Sequence, residues 1–272
     1  MKVHPDSVLF VTLDSCRFDT FLAARAPNMK AVAPLHRATA PSHFTYGSHS
    51  AMFVGFTPSI GGCREVFLDN KFAKLFKLVG GGFAANKPEF ELTGNNIVVG
   101  FRRLGYRTIG SGAVGWFDPE TETGLNLTGD FEQYFYAGTN VAKQIEWMMQ
   151  CVAAANDKPV FCFLNVGETH VPYWHEGAAW SRDKNPCEPY GARNNVDECR
   201  EKQRLCCEYI DGKIKPMLAP FHDATILLCA DHGDCWGEDN LWEHGVSHPM
   251  TLTVPMLLRV RGMPIGSAMA EH

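Results

Sequence analysis

The sequence has no long apolar run, no basic cluster and no Cys-x-x-Cys pair, and each absence closes off a class of function. Near the N-terminus the apolar run is only Val8–Leu13, bounded by Pro5, Asp6 and Asp14. A membrane span needs about 20 apolar residues and a signal-peptide core about 7–15, so the sequence reads as a cytosolic protein. Lys and Arg number 25 against 30 Asp and Glu, a net charge of −5. That balance argues against nucleic acid or an anionic membrane as partner. The glycine run 80–82, within "VGGGF", lacks a following Lys-Ser/Thr and so reads as a turn, not a nucleotide phosphate loop. Of ten cysteines, several sit in apolar runs such as "VFCFLNV" and "TILLCAD", where a thiol packs as a small hydrophobe. Cys187, Cys199, Cys206 and Cys207 lack the usual zinc-ligand spacing, so free thiols are expected. The sequon at Asn126 carries no weight without secretion.

What is present is ordinary globular composition: 272 residues, 45% apolar and 20% charged, enough for a sizeable core. Short apolar runs at 7–13, 106–114, 159–166, 224–230 and 254–262 read as strands, the middle ones buried on both faces. Between them, 93–105, 138–157 and 194–218 read as helices. The last is long and amphipathic, with Leu205, Tyr209, Ile210 and Ile214 expected inward. Segments 115–133 and 174–193 have no clear period and read as loops. Strands alternating with helices predict an α/β fold with a mostly parallel sheet covered on both sides.

In such a sheet, ligands collect at the carboxyl ends of the strands. Asp14 follows "VLFVTL", and Asp231 follows "TILLCA" with His232 next. One carboxylate at a strand end is ordinary, because it caps the next helix. Two, one of them extended to Asp-His-Gly, suit a divalent cation. The loop "ADHGDCWGEDNLWEHGVSH" also carries Asp234, Asp239, Glu243 and His244. The three acids read as solvated, while the two His-Gly pairs suggest tight bends beside a ligand. "RATAPSHFTYGSHSAMFVGFTP" gathers hydroxyls before an apolar segment, and composition alone does not rank them.

At this point the chain resembles a family. "VLFVTLDSCRFD", "TYGSHSAMFVGFTP", "NVGETHVPY", "CADHGDCWGEDNLWEHG" and "TVPMLLRV" occur in the order of the alkaline phosphatase superfamily. The likeness is to its sulfatase-like and phosphonate-hydrolase-like branch, over about residues 7–262. It implies an alkaline-phosphatase-like sandwich formed by one domain, 1–272, lacking the usual sulfatase C-terminal subdomain. It also implies a metal site at the strand ends and a hydroxyl nucleophile. Asp14 matches the first metal ligand, and Asp231 and His232 match the Asp-His pair. Register against "SAMFVG" puts Thr45 at the nucleophile, also a metal ligand, and His49 where sulfatases carry Arg. His170 falls where a histidine contacts substrate oxygen or protonates the leaving group. His244 falls where a second metal or a phosphate is bound.

Thr cannot become the formylglycine of sulfatases, so the resemblance implies phosphorus chemistry: hydrolysis of a phosphate mono- or diester or a phosphonate. Phosphodiesterases, phosphonate hydrolases and phosphoethanolamine transferases of the superfamily use Thr here. A helix cap competes as the role of Thr45. The implied cofactor is one or two divalent ions, zinc or manganese first, with magnesium or calcium also compatible. The implied partner is a small anionic substrate, with no nucleic acid and no membrane. A sulfatase, a phospho-transferase or mutase, and a non-catalytic metal- or anion-binding relative stay open as alternatives. Arg17 is expected to brace its loop rather than clamp an anion.

Overall fold

The five apolar runs become adjacent strands of one sheet in the computed structural model, which describes residues 2–55, 76–79, 89–92, 95–191 and 193–263. In chain order the strands are β1 (Val8–Leu13), β2 (His36–Thr39), β3 (Phe76–Val79), β4 (Glu89–Leu92), β5 (Arg107–Gly112), β6 (Gln133–Tyr136), β7 (Val160–Val166), β8 (Thr225–Ala230), β9 (Cys235–Trp236), β10 (Trp242–Glu243) and β11 (Thr253–Arg259). The helices are α1 (Phe18–Ala23), α2 (Pro27–Lys30), α3 (Thr45–Val54), α4 (Ile97–Arg103), α5 (Glu122–Thr128), α6 (Val141–Ala154), α7 (Val196–Leu218) and α8 (Pro249–Leu252). The seven-stranded sheet runs β2-β11-β8-β1-β7-β5-β6. The strands β8, β1, β7, β5 and β6 are mutually parallel, and β11 is antiparallel to β8 and to β2.

Side-chain alternation along the central strands divides the core in two. Leu9, Val11 and Leu13 of β1 and Cys162, Leu164 and Val166 of β7 join Ile145 and Met148 of α6 and Ile210 and Ile214 of α7. Phe10, Phe161 and Phe163 face the other way, with Tyr46 and Phe53 of α3 and with Phe117. Phe163 meets Phe10 and Phe53 edge-on at 5.5 and 5.0 Å between ring centroids, contacts worth about 0.5–1.5 kcal/mol each beyond area burial. The same parity puts Thr12, Asn165 and the residue just past β1, Asp14, on the α3 side.

Three features differ from the sequence reading. The strands β2 and β6 lie at the sheet edges and are only partly buried, so neither carries the apolar run that marks a central strand. The segment 115–133 holds α5, capped where Thr121 Oγ1 accepts from Gly124 N at 2.9 Å. It is too short to show a period. The buried stripe of α7 is Cys199, Cys206, Cys207, Ile210, Ile214 and Met217, with Leu205 and Tyr209 at its margin. Nine cysteines are buried and free, and none joins a metal-ligand group among the described residues. Cys63 and the glycine run 80–82 lie outside the described residues.

The N-terminus of α6 carries an unusual acid. Glu168 Oε1 accepts from Val141 N at 2.7 Å, while its Oε2 is buried without a partner. Burial pushes this carboxyl up to about 7 from 4.5, against the pull of backbone N–H donors. The native state thus keeps a proton that the unfolded chain loses. Stability is full at low pH and declines as pH rises through that window. Glu168→Gln, which retains the acceptor for Val141, is expected to be more stable than wild type by about 1–3 kcal/mol at pH 8 and no more stable near pH 4. Thermal melts at both pH values check this, and a difference independent of pH would contradict it.

Candidate active site

Adjacent parallel strands deliver the two acids side by side. β1 and β8 pair with Leu13 opposite Ala230, so Asp14 and Asp231 leave neighbouring strand ends. Asp231 Oδ1 accepts from Ser15 N at 3.1 Å and from His232 N at 2.9 Å. Thr45 is the first residue of α3, behind Phe44 as the capping residue. It is therefore not the cap, and its hydroxyl turns inward. Thr45 Oγ1 lies 3.4 Å from Asp14 Oδ1 and 3.2 Å from His232 Nε2. His232 Nε2 lies 3.8 Å from Asp14 Oδ1 and 3.5 Å from Asp231 Oδ2. All four residues are fully buried.

The electrostatics of this cluster call for a cation. Asp231 Oδ2 is buried with no hydrogen-bond partner. Burial, and then the negative charge of Asp14, hold the Asp231 carboxyl well above the usual carboxylate range. Burial, and then neighbouring His244, hold His232 well below the usual imidazole range. Two buried carboxylates, a neutral imidazole and a hydroxyl form a donor set that zinc or another divalent ion fits. Facing donor atoms of Asp14, Asp231 and His232 all lie within 4.8 Å of one another.

Three imidazoles share one arrangement. The Nδ1 atoms of His232, His170 and His244 face Gly233 O at 3.0 Å, Val171 O at 2.9 Å and Asp234 Oδ1 at 2.7 Å. Each acceptor holds the ring hydrogen on Nδ1 and leaves Nε2 as the working nitrogen. The His244 ring centre is 4.5 Å from that of His232 and 5.0 Å from that of His170, so all three sequence-predicted histidines come together.

Asp234 departs from its reading as a solvated loop acid. It is fully buried, and its Oδ2 accepts from Tyr173 OH at 2.7 Å. Tyr173 OH accepts in turn from Trp236 Nε1 at 2.9 Å. Asp234 lies near His232 and His244 and could be counted with them as a ligand. Both of its oxygens are already engaged, so it serves as the carboxylate that orients His244. Burial would lower the His244 pKa, but the hydrogen bond and charge of Asp234, with Glu243 and Asp14 behind them, push it up to about 9. Nothing in "DHGDCWG" distinguishes Asp234 from exposed Asp239; the signal is Tyr173, some sixty residues upstream.

Around this core, Arg17 donates to Asp234 O at 3.2 Å, Glu238 Oε1 at 2.8 Å and Asp19 Oδ2 at 2.7 Å. Its guanidinium stacks 4.1 Å from the Trp236 ring. It is saturated by Asp19 of its own loop and by Asp234 and Glu238 of the loop after β8, consistent with bracing. Gly233 is required by packing rather than by a ligand: a Cβ there would collide with the Met250 carbonyl. Gly245 has φ +87, a conformation that favours glycine.

No family model and no curated protein matches the sequence. Solved structures do match the fold. One is the C-terminal periplasmic domain of EcEptC from Escherichia coli in complex with zinc, with 11% identity, 95% of this chain and 74% of that chain covered, and a TM-score of 0.61. Another is the soluble domain of lipooligosaccharide phosphoethanolamine transferase A from Neisseria meningitidis, with 14% identity, 96% and 78% covered, and a TM-score of 0.62. A third is the phosphonate monoester hydrolase of Agrobacterium radiobacter, with 14% identity, 94% and 68% covered, and a TM-score of 0.59. The shared fold is an alkaline-phosphatase-like α/β sandwich.

The first of these neighbours overturns the cytosolic reading, because it is a periplasmic domain with this fold. A short apolar run speaks only to whether that run spans a membrane; it does not identify a compartment. Among the described residues, no helix is long and apolar enough to cross a membrane.

Proposed function

We propose that this protein is a metal-dependent enzyme acting on phosphate esters or phosphonates, with Thr45 as nucleophile. The observation that carries the reading is the contact of Thr45 Oγ1 with Asp14 Oδ1 and His232 Nε2, beside the unpartnered Asp231 Oδ2. Asp14, Asp231, His232 and the Thr45 hydroxyl would hold a divalent ion. When bound, that ion lowers the pKa of a coordinated hydroxyl and offsets the charge of phosphate oxygens. The resemblance of the sequence and the zinc complex of one structural neighbour favour zinc.

In this reading the Thr45 hydroxyl proton passes to water as Thr45 Oγ bonds to phosphorus and the bond to the leaving oxygen breaks. The first turn of α3 has no side-chain cap, so its N-terminus can face phosphate oxygens. His244, held protonated by Asp234, donates to a phosphate oxygen. His170, when it carries a second proton on Nε2, gives that proton to the departing oxygen. Water then takes the phosphoryl group from Thr45, or a second alcohol does. The transferase outcome has specific support, since one neighbour of the same fold is a phosphoethanolamine transferase.

Zinc-loaded protein should turn over aryl phosphate monoesters, diesters or phosphonates faster than aryl sulfates. Adding an alcohol acceptor separates the outcomes: unchanged phosphate release supports hydrolysis, and product shifted onto the alcohol supports transfer. No turnover of any ester, with zinc bound, would show a binding protein instead.

A further inference from the structure

His49 is fully buried on α3, four residues after Thr45, and is edge-on to Phe53, Phe117 and Phe163 at 6.3, 4.8 and 5.7 Å. An imidazole in an aromatic pocket is costly unless both nitrogens are paired, and both are. Nδ1 lies 2.8 Å from the Thr45 carbonyl, and Nε2 lies 2.9 Å from Thr12 Oγ1. A carbonyl only accepts, so the ring hydrogen sits on Nδ1. In the neutral ring, Nε2 then accepts the Thr12 hydroxyl hydrogen. Asp231 Oδ2, at 3.7 Å from Nδ1, is beyond hydrogen-bond range.

The directions continue into β7. Asn165 Nδ2 donates to Thr12 Oγ1 at 3.2 Å and to Asp14 Oδ2 at 3.2 Å, while Asn165 Oδ1 accepts from Ala113 N at 3.2 Å. Flipping the amide would set its oxygen against the Asp14 carboxylate and its NH2 against a backbone N–H, so one orientation holds. Every proton from Ala113 to Thr45 therefore has an assigned direction, with a branch to Asp14.

We propose that His49 is a positioning residue: an Nδ1–H imidazole that ties the first turn of α3 to β1 and β7 and so sets the aim of the Thr45 hydroxyl against Asp14. This rests on the reading of Thr45 as nucleophile. Two features give the tie its importance. The contact of Thr45 Oγ1 with Asp14, at 3.4 Å, is too long to fix the hydroxyl by itself, and the helix turn that carries it has no side-chain cap. A reacting group held loosely loses rate even when every ligand is in place. His49 also stands where the resemblance expects Arg. With both nitrogens engaged by Thr12 and the Thr45 carbonyl, neither is left to meet a substrate.

The test uses the full chain and three variants. In the imidazole ¹⁵N spectrum of the wild type, the signal lost in His49→Asn should be that of a ring with a hydrogen on Nδ1. A ring with its hydrogen on Nε2 and none on Nδ1 overturns the proposal. With zinc-loaded protein and an aryl phosphate ester, His49→Phe should lower kcat about 10–100-fold with KM within about threefold. His49→Asn keeps an N–H near the Thr45 carbonyl and should recover at least about threefold of that loss. Wild-type kcat in His49→Phe, or no recovery in His49→Asn, overturns the proposal. Should His49→Phe fail to fold, near-isosteric Thr12→Val decides, since an unchanged kcat there has the same consequence. If wild type turns over no ester, the nucleophile reading fails on that result alone, and the imidazole spectrum still tests the network.

Discussion

Thr45→Ala is expected to lower turnover of aryl phosphate esters by at least about a thousandfold, the scale on which loss of a covalent nucleophile is felt. The loss should fall on kcat, because Asp14, Asp231 and His232 remain to hold the ion and the imidazoles remain to meet the substrate. Folding should change little. Thr45 is the first residue of α3 and not its cap, and alanine is a good helix former. Thr45→Ser retains a hydroxyl in the same place and should keep part of the activity. With wild-type protein, quenching during turnover should trap a phosphoryl adduct on the peptide that contains Thr45. Undiminished turnover in Thr45→Ala removes Thr45 from the chemistry and leaves the cluster as a metal site served by another nucleophile.

The sequence makes the central sheet legible because its strands are buried on both faces. An unbroken apolar run such as "PVFCFLNV" has few other uses, and an acid directly after two such runs already marks the end of the sheet where ligands gather. Asp14, Asp231 and His232 are readable for that reason. Thr45 is readable only through register with a known motif, since nothing local separates it from Ser42 or Ser48. What escapes is whatever depends on a distant partner. Asp234 looks solvated until Tyr173 covers it. His49 looks like a substitute for a charged residue until Thr12 and the Thr45 carbonyl take up both its nitrogens. Asn165 looks like a break in an apolar strand, yet its amide serves Thr12 and Asp14 together. The edge strands β2 and β6 are hidden by their partial burial. Compartment is not written in a domain's core at all.

Asp231→Asn is expected to make the metal-free protein more stable while making the zinc-loaded protein less so. Without an ion, Asp231 and Asp14 are two buried carboxylates at one spot, and burial and mutual repulsion raise the Asp231 pKa. The folded state thus holds a proton that the unfolded chain releases. Stability is full at low pH and is lost as pH rises through the raised value. Asparagine removes that cost. Its oxygen can keep the bonds from Ser15 N and His232 N, and its amide N–H can face His232 Nε2, now 3.5 Å from Oδ2. The metal-free variant should therefore melt higher than wild type at pH 8, with the gap closing near pH 4. Zinc reverses the order. At a hundredfold excess over its Kd, an ion that binds only the folded state adds about 2.7 kcal/mol, and the variant, with one carboxylate ligand removed, should lose most of that gain and most of the turnover. Melts with chelator and with zinc, at pH 4 and pH 8, measure all four corners of this square. A variant that melts lower than wild type in chelator at pH 8, yet gains as much from zinc, would show that Asp231 is a structural acid and that the ion binds elsewhere.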